Sequence, residues 1–192
     1  MGVLIGPNTL YYVIVRPKGK LREDFDFSDE KVRKPALLRP EMGERGTGDM
    51  ATTVIAITNQ KGGVGKTTTA AALLTGLHRR GAAVLGVDMD PQGSLGFSLG
   101  LDIEHCTTIY DVFRGQAEPE QAIVRTDTCD ILPSNILLSG AELEFNRPGR
   151  EFLLKTALSK VEDQYDYIII DTPPALSLLT VNAYVATDSL II

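Results

Sequence analysis

The segment Val54-Ile55-Ala56-Ile57-Thr58-Asn59-Gln60-Lys61-Gly62-Gly63-Val64-Gly65-Lys66-Thr67-Thr68 joins an apolar run to a glycine-rich loop and then to a helical pattern. The apolar, β-branched residues before the loop are typical of a buried central strand. From Lys66 to Arg80, alanines and leucines recur at helical spacing, and Gly81 offers a C-terminal cap. This order of strand, loop and helix is the context in which glycine-rich loops bind phosphate. The segment therefore predicts a phosphate site.

The loop at residues 61–68 contains the residue types that a magnesium-bound triphosphate requires. Its glycines let successive backbone N–H groups point at a phosphate, and the helix start adds unpaired amides and the positive end of its dipole. Lys66 is placed to reach the β- and γ-phosphates, and the Thr67 hydroxyl is placed to ligate Mg²⁺. We expect the following residues to bind ATP: Gly62, Gly63, Val64, Gly65, Lys66, Thr67 and Thr68.

Two other strand patterns end in carboxylates. Asp88 and Asp90 follow an apolar run and share one side of an extended backbone, whereas Asp171 ends the run Tyr167–Ile170. The carboxyl ends of parallel strands face the crevice in which ligands bind in open α/β sheets. There, a carboxylate can orient the water that attacks a γ-phosphate, and another can contact Mg²⁺ through water.

Beyond Met50 the patterns alternate between strand and helix, which predicts an α/β fold with a mostly parallel, doubly wound sheet covered by helices on both faces. The predicted strands are residues 51–58, 83–88, 129–132, 167–171 and 190–192, and the predicted helices are residues 66–80, 150–163 and 175–186.

Composition divides the chain at Met50. Residues 1–49 have a net charge of +1 and residues 50–192 a net charge of −7. The first segment contains a candidate hairpin at residues 3–15, and a charged stretch with several prolines and glycines at residues 18–49 is typical of a linker or a disordered arm. We therefore expect an N-terminal extension at 1–49 and an ATPase domain at 50–192. Met50 as the natural start and a genuine N-terminal arm remain alternatives.

The whole chain has a net charge of −6, so it has no overall attraction for nucleic acid. Its apolar runs are too short to span a bilayer, and it lacks a secretory pattern, so we expect a cytoplasmic protein. Cys106 and Cys129 form no CxxC and have no histidine at zinc-site spacing, which indicates buried free thiols.

The loop departs from the usual G-x-x-x-x-G-K-[ST] pattern, because Gln60 takes the place of the first glycine and the additional Lys61 opens the glycine run. This segment resembles the deviant Walker A motif of the ParA/MinD group of P-loop ATPases. The sequence Asp90-Pro91-Gln92 is similar to the ParA/Soj partition proteins in particular, and the resemblance covers Met50 to Ile192.

This resemblance implies a P-loop NTPase whose C-terminal part is missing from the chain. It implies that Lys61 reaches the partner's ATP in a nucleotide-sandwich homodimer and that Asp90 positions the attacking water. Asp88 then supports the magnesium shell, and Asp171 is the Walker B aspartate. The implied catalytic residues are Lys61, Lys66 and Asp90, and the implied metal residues are Thr67, Asp88 and Asp171.

The resemblance also implies the function: an ATP-binding and ATP-hydrolysing switch in chromosome or plasmid partition, with ATP and Mg²⁺ as cofactors. A ParB-like activator, non-specific DNA and association with the nucleoid are implied by the family alone, and no membrane partner is expected. Two alternatives stay open: a MinD-like membrane-cycling ATPase, which needs an amphipathic C-terminal helix, and a nonfunctional fragment of a ParA-like protein. The cysteine contexts argue against a nitrogenase iron protein.

Overall fold

The computed structural model describes residues 52–145 and 147–192. The candidate hairpin at residues 3–15 and the candidate linker at 18–49 lie outside the described residues. The division of the chain at Met50 therefore stays a prediction.

In the part of the chain that the structure describes, a six-stranded sheet forms the centre of the fold, with the strand order β3-β4-β2-β5-β1-β6. All neighbouring strands are parallel except the pair β3–β4, which confirms the expected mostly parallel sheet. The strands are β1 (Thr53–Ile57), β2 (Val84–Asp88), β3 (Val124–Arg125), β4 (Asp130–Leu132), β5 (Tyr167–Asp171) and β6 (Ser189–Ile191).

Within residues 52–145 and 147–192, seven α-helices connect the strands: α1 (Lys66–His78), α2 (Ser94–Ser98), α3 (Ile109–Phe113), α4 (Pro119–Ala122), α5 (Ala141–Glu144), α6 (Leu153–Leu158) and α7 (Leu178–Ala186). Among the described residues, no helix combines the length and the apolar composition that crossing a membrane requires. Helix α1 ends close to the predicted boundary, and Gly81 follows it with a left-handed φ of 83°.

Some predicted boundaries were too wide. The helix expected at 150–163 is reduced to α6, with short 3₁₀ turns at Arg150–Phe152 and Glu162–Gln164. The helix expected from Ala175 begins only at Leu178, because the chain is still in a turn after Pro173 and Pro174.

The two faces of the sheet carry separate apolar cores. Along β5, Ile168 and Ile170 belong to one core, together with Leu154 of α6 and Leu179 of α7. Ile169 points to the other core, which includes residues of α1. Because successive side chains of a strand alternate between faces, a run that is apolar throughout requires cover on both sides. This arrangement confirms the helices on both faces.

A prediction about stability follows from Gly86, which lies in the middle of β2 where α1 packs. A Cβ atom at Gly86 would lie 2.6 Å from Cδ1 of Ile131 and 2.7 Å from Cδ1 of Leu74, and both of these side chains are fully buried. We expect Gly86→Ala to lower the free energy of unfolding by about 1–3 kcal/mol through overpacking. Urea denaturation measures this change.

The matched control is Gly76→Ala in α1, where the added Cβ meets no atom within 4 Å. This change is expected to raise the free energy of unfolding by ~0.5–1 kcal/mol, because alanine favours the helix over glycine. An unchanged or higher urea midpoint for Gly86→Ala would contradict the close packing of α1 on β2.

Candidate functional site

The loop between β1 and α1 is open in the way that a bound phosphate requires. Gly63 and Gly65 have left-handed φ angles of 72° and 89°, and Gly65 is the N-cap residue of α1. A Cβ atom built on Gly62, Gly63 or Gly65 would meet no atom within 4 Å. The glycines therefore line free space rather than packed protein. The positive φ angles explain why side chains would be strained at two of these positions.

The two lysines of the loop occupy different places. The Lys66 ammonium donates to the backbone carbonyl of Lys61, with 3.3 Å between nitrogen and oxygen, so Lys66 folds back over the loop. Lys61 is exposed, and its backbone N–H donates to Oδ1 of Asn59 at 2.9 Å. The Lys66 ammonium thus lies against the backbone of the loop, whereas the Lys61 side chain is exposed.

A short hydrogen bond joins the start of α1 to the end of β5. The Thr67 hydroxyl donates to Oδ2 of Asp171 at 2.6 Å. Asp171 is fully buried, and its other oxygen, Oδ1, has no hydrogen-bond partner in the described part of the chain. A buried carboxylate oxygen without a partner is unfavourable on its own and is satisfied when a cation or a bound water approaches it. The donor set therefore fits magnesium.

Asp88 lies beside Asp171, because the two residues are register partners across β2 and β5. Its carboxylate is fully buried and already accepts two backbone N–H groups, from Asp90 at 3.0 Å to Oδ1 and from Leu95 at 2.9 Å to Oδ2. These bonds hold the turn after β2 and the start of α2. The metal-binding role of Asp88 stays a prediction. Without a bound ligand, its two oxygens stabilise the turn after β2 and the start of α2.

Asp90 lies in the turn between β2 and α2, and its side chain is partly buried. Its Oδ1 accepts from the backbone N–H of Gln92 at 3.0 Å, and its own carbonyl accepts from the N–H of Gly93 at 2.9 Å. The turn therefore has a defined conformation, which is what a residue that positions a water molecule needs.

The buried carboxylates of Asp88 and Asp171 have pKa values above the ordinary value for aspartate. Burial and, after it, the neighbouring charge of Asp171 together raise the pKa of Asp88 to about 7, against the opposing effect of its two backbone hydrogen bonds. Burial also raises the pKa of Asp171 to about 6; the charge of Asp90 acts in the same direction, while the hydrogen bond from Thr67 and the charge of Lys66 oppose it. A cation bound between these carboxylates would stabilise their charged forms.

A pH dependence of stability follows for the metal-free protein. The folded state keeps protons on Asp88 and Asp171 up to pH values of about 7 and 6, whereas the unfolded chain releases them near 3.8. Between these values the folded state binds more protons, so raising the pH destabilises it. We expect this contribution to be present at pH 4 and lost as the pH approaches 7. Thermal unfolding in a chelator measures it.

The control for this prediction is the variant Asp171→Asn, which removes one titrating group and its effect on Asp88. Its unfolding temperature should fall less between pH 5 and pH 7.5 than that of the wild type. The exposed Asp127→Asn should leave the wild-type dependence unchanged. Equal slopes for the wild type and Asp171→Asn would show that the buried pair does not titrate as described.

Sequence reasoning assigned no role to two buried hydroxyl residues near the site. Thr172 donates to the carbonyl of Ile57 at 2.8 Å and so ties the end of β5 to the end of β1. Ser134 donates to the carbonyl of Asp90. The position of Thr172 directly after Asp171 was a usable signal, but Ser134 is 44 residues from Asp90 and only the folded chain brings them together.

Cys129 is buried and is a free thiol, and burial raises its pKa to about 11, so it is unreactive as expected. Cys106 is also free but is only partly buried, which corrects the expectation of a buried thiol. Its position in the turn after the 3₁₀ helix Ile103–His105 explains the exposure.

A parallel sheet, a glycine-rich loop that leads from β1 into α1, and a threonine bonded to the aspartate of a neighbouring strand define a P-loop NTPase. A family model described as "AAA domain" matches residues 52–192. The sporulation initiation inhibitor protein Soj of Bacillus subtilis is 48% identical over 145 residues, which are 72% of this chain and 56% of Soj. The chromosome partitioning protein ParA of Myxococcus xanthus is 44% identical over 154 residues, 78% of this chain and 54% of that protein.

A similar solved structure is that of cobyrinic acid a,c-diamide synthase from Mycobacterium smegmatis with a bound ATP analogue and magnesium. It has a TM-score of 0.69 and 48% identity over 71% of this chain and 55% of that one. The chain belongs to the AAA domain family, and its relatives confirm the ParA/Soj resemblance. It spans about half the length of the curated relatives that it matches.

Proposed function

We propose that this chain binds magnesium-ATP, hydrolyses it and acts as a dimerising switch in chromosome or plasmid partition. The observation that carries the proposal is the contact between Thr67 and Oδ2 of Asp171 at the start of α1. The other oxygen of this buried carboxylate, Oδ1, has no hydrogen-bond partner among the described residues, and the loop before α1 is open and lined by glycines. Magnesium-ATP would supply phosphate oxygens for the backbone amides of the loop and a divalent cation for the carboxylate.

The residues of the loop would hold the triphosphate through backbone amides, with Lys66 as the cation among them. Thr67 and Asp171 would hold magnesium, with Asp88 as a further predicted contributor. Bound magnesium neutralises charge on the transferring phosphoryl group. Asp88 already accepts hydrogen bonds from two backbone N–H groups. We therefore expect it to contribute to magnesium binding both by its charge and by keeping the turn after β2 in place.

The remaining roles belong to side chains at the mouth of the site. Asp90 would accept a hydrogen bond from the attacking water and orient it, in the turn that Asp88 holds in place. Lys61 is exposed at the outer edge of the loop, a place from which a lysine can reach the nucleotide of a second subunit. The proposed dimer therefore completes each site with a lysine from the partner.

Exposed apolar side chains support a dimer that forms over this edge of the sheet. Val64, Phe97, Ile136, Leu137 and Leu176 are between 38% and 75% exposed. They lie on the segments that follow the carboxyl ends of β1, β2, β4 and β5, and these ends meet at one edge because the four strands are parallel. Apolar groups that converge in this way favour burial against another protein surface.

The proposed partners beyond the second copy are a ParB-like activator and non-specific DNA, which would place the protein at the nucleoid in the cytoplasm. The names of Soj and ParA support this part of the proposal. The net charge of −6 gives no support to DNA binding, so a basic surface outside this chain or a local one created by dimerisation would have to supply it.

The test begins with titration calorimetry of the purified chain with magnesium-ATP and with magnesium-ADP. Light scattering then measures the mass with each nucleotide, and phosphate release measures hydrolysis with and without DNA and a ParB-like protein. Saturable ATP binding, an ATP-dependent dimer and stimulation by DNA with the activator support the proposal. A chain that binds no ATP and only aggregates is a nonfunctional fragment.

Two further outcomes would redirect the proposal. ATP-dependent sedimentation with anionic liposomes, without DNA binding, would favour a MinD-like membrane cycle. Hydrolysis stimulated by cobyrinic acid, and not by DNA, would favour the activity that is named for the M. smegmatis protein.

A further inference from the structure

A buried serine that follows a different strand forms a hydrogen bond to the turn that contains Asp90. Ser134 follows β4 and is fully buried. Its hydroxyl donates to the backbone carbonyl of Asp90, and the same carbonyl accepts the N–H of Gly93. Two donors, one of them from a distant segment, therefore determine where this carbonyl lies.

The backbone of the same serine also lies near the far end of the turn. The carbonyl oxygen of Ser134 would lie 3.1 Å from a Cβ atom at Gly93, which has a left-handed φ of 65°. The same Cβ atom would lie even closer to Cδ1 of Ile103, so both the backbone of Ser134 and the side chain of Ile103 leave no room for a side chain at Gly93. Ser134 therefore bonds to the first residue of the turn 90–93, and its backbone lies on the side of Gly93 where a Cβ atom would project.

The backbone that carries Ser134 is itself held firmly. The carbonyl of Pro133 accepts the N–H of Ile109 at 2.9 Å, at the first residue of α3. Ile109 is fully buried, and a Thr108–Asp111 capping box closes this end of the helix. A hydrogen bond from an anchored donor positions its acceptor, whereas one from a mobile loop does not.

We infer that Ser134 is a positioning residue for the hydrolysis of ATP. Its hydrogen bond to the Asp90 carbonyl fixes the position of the turn that contains Asp90. This inference rests on the proposed function. It extends that function, because it assigns part of the alignment of the attacking water to a residue of the segment between β4 and α5. Ser134 is buried and touches Asp90 only through the backbone, so it does not act on the nucleotide directly.

The test compares Ser134→Ala with the wild-type chain. Without the hydroxyl, we expect kcat for ATP hydrolysis to fall about tenfold, the change expected for one lost hydrogen bond, while KM for ATP changes by less than about twofold. Amide hydrogen exchange, read without nucleotide, should show the Gly93 amide exchanging about tenfold faster, because its acceptor is no longer held. Unchanged exchange at Gly93 overturns the inference.

Two further variants separate positioning from packing. Ser134→Cys keeps the size of the side chain but has a much weaker donor, so it should resemble Ser134→Ala; wild-type behaviour of this variant would mean that only packing matters and would overturn the inference. Ser139→Ala is the matched control, because Ser139 is an exposed serine of the same segment with a local bond to the Ile136 carbonyl. It should behave as the wild type in both measurements.

Failure of the proposed function and failure of this inference are distinguishable. A wild-type chain without ATP hydrolysis contradicts the function, and the exchange of Gly93 then still decides whether Ser134 holds the turn. A wild-type chain that hydrolyses ATP at the same rate as Ser134→Ala overturns the inference and leaves the function intact.

Discussion

Lys66→Ala is expected to abolish binding of magnesium-ATP while leaving the fold intact. The lysine ammonium is the positive charge that the described structure places over the loop, where its hydrogen bond goes to a loop carbonyl. Charge-assisted bonds to two phosphates, each worth about 1.5–3 kcal/mol, correspond to a loss in affinity of about 100-fold or more. The side chain is only partly buried, so its removal leaves no large cavity.

Titration calorimetry measures this loss, and circular dichroism with thermal unfolding shows that the variant is folded. The matched control is Lys155→Ala on α6, because Lys155 is exposed and lies far from the loop along the chain. It should bind magnesium-ATP as the wild type does. If Lys66→Ala bound ATP with unchanged affinity, the loop would not be the triphosphate site and the proposed function would be wrong.

Asp90→Ala is expected to separate binding from hydrolysis. The carboxylate lies in a turn beside the buried pair Asp88 and Asp171, where it would orient a water molecule and make no essential contact with the phosphates. We expect kcat to fall by about 100-fold or more, which is the lower range for loss of a positioned base. The affinity for magnesium-ATP should stay within a few-fold of the wild type, so ATP-bound dimers should accumulate.

Single-turnover phosphate release measures the rate, and calorimetry measures the affinity. Asp90→Asn tests the charge separately, because its amide oxygen can still accept the Gln92 N–H that Asp90 accepts now. The exposed Asp127→Ala, between β3 and β4, is the control and should hydrolyse ATP normally. Loss of ATP binding in Asp90→Ala would mean that Asp90 holds the nucleotide and does not mainly position water.

Long and strongly patterned elements could be predicted from the sequence. The strands β1, β2 and β5 are apolar throughout because both of their faces are covered, and α1 has a regular pattern and a glycine cap. The short elements α2, α3, α4 and α5 and the two-residue strand β3 were not predicted. Four or five residues carry too little periodicity, and tertiary contacts determine their conformation.

Most residues of the candidate site could also be predicted from the sequence. Glycines, a lysine and a threonine must be close in sequence to form a phosphate loop, so Lys61 to Thr68 can be recognised as a motif. Asp88, Asp90 and Asp171 could be placed at one edge because parallel strands bring their carboxyl ends together. Their roles in catalysis and metal binding stay predictions.

The amino-acid sequence alone determined that this chain forms a phosphate loop on a parallel sheet, because the required residue types are local and their spacing is set by backbone geometry. Only the tertiary structure decided which groups contact one another in the site. These contacts are the hydrogen bond from Thr67 to Asp171, the two backbone N–H groups that donate to Asp88, and the hydrogen bond from Ser134 to the Asp90 carbonyl. These contacts join residues from different strands and loops. Their partners are selected by packing of the whole domain, and no local pattern encodes that packing.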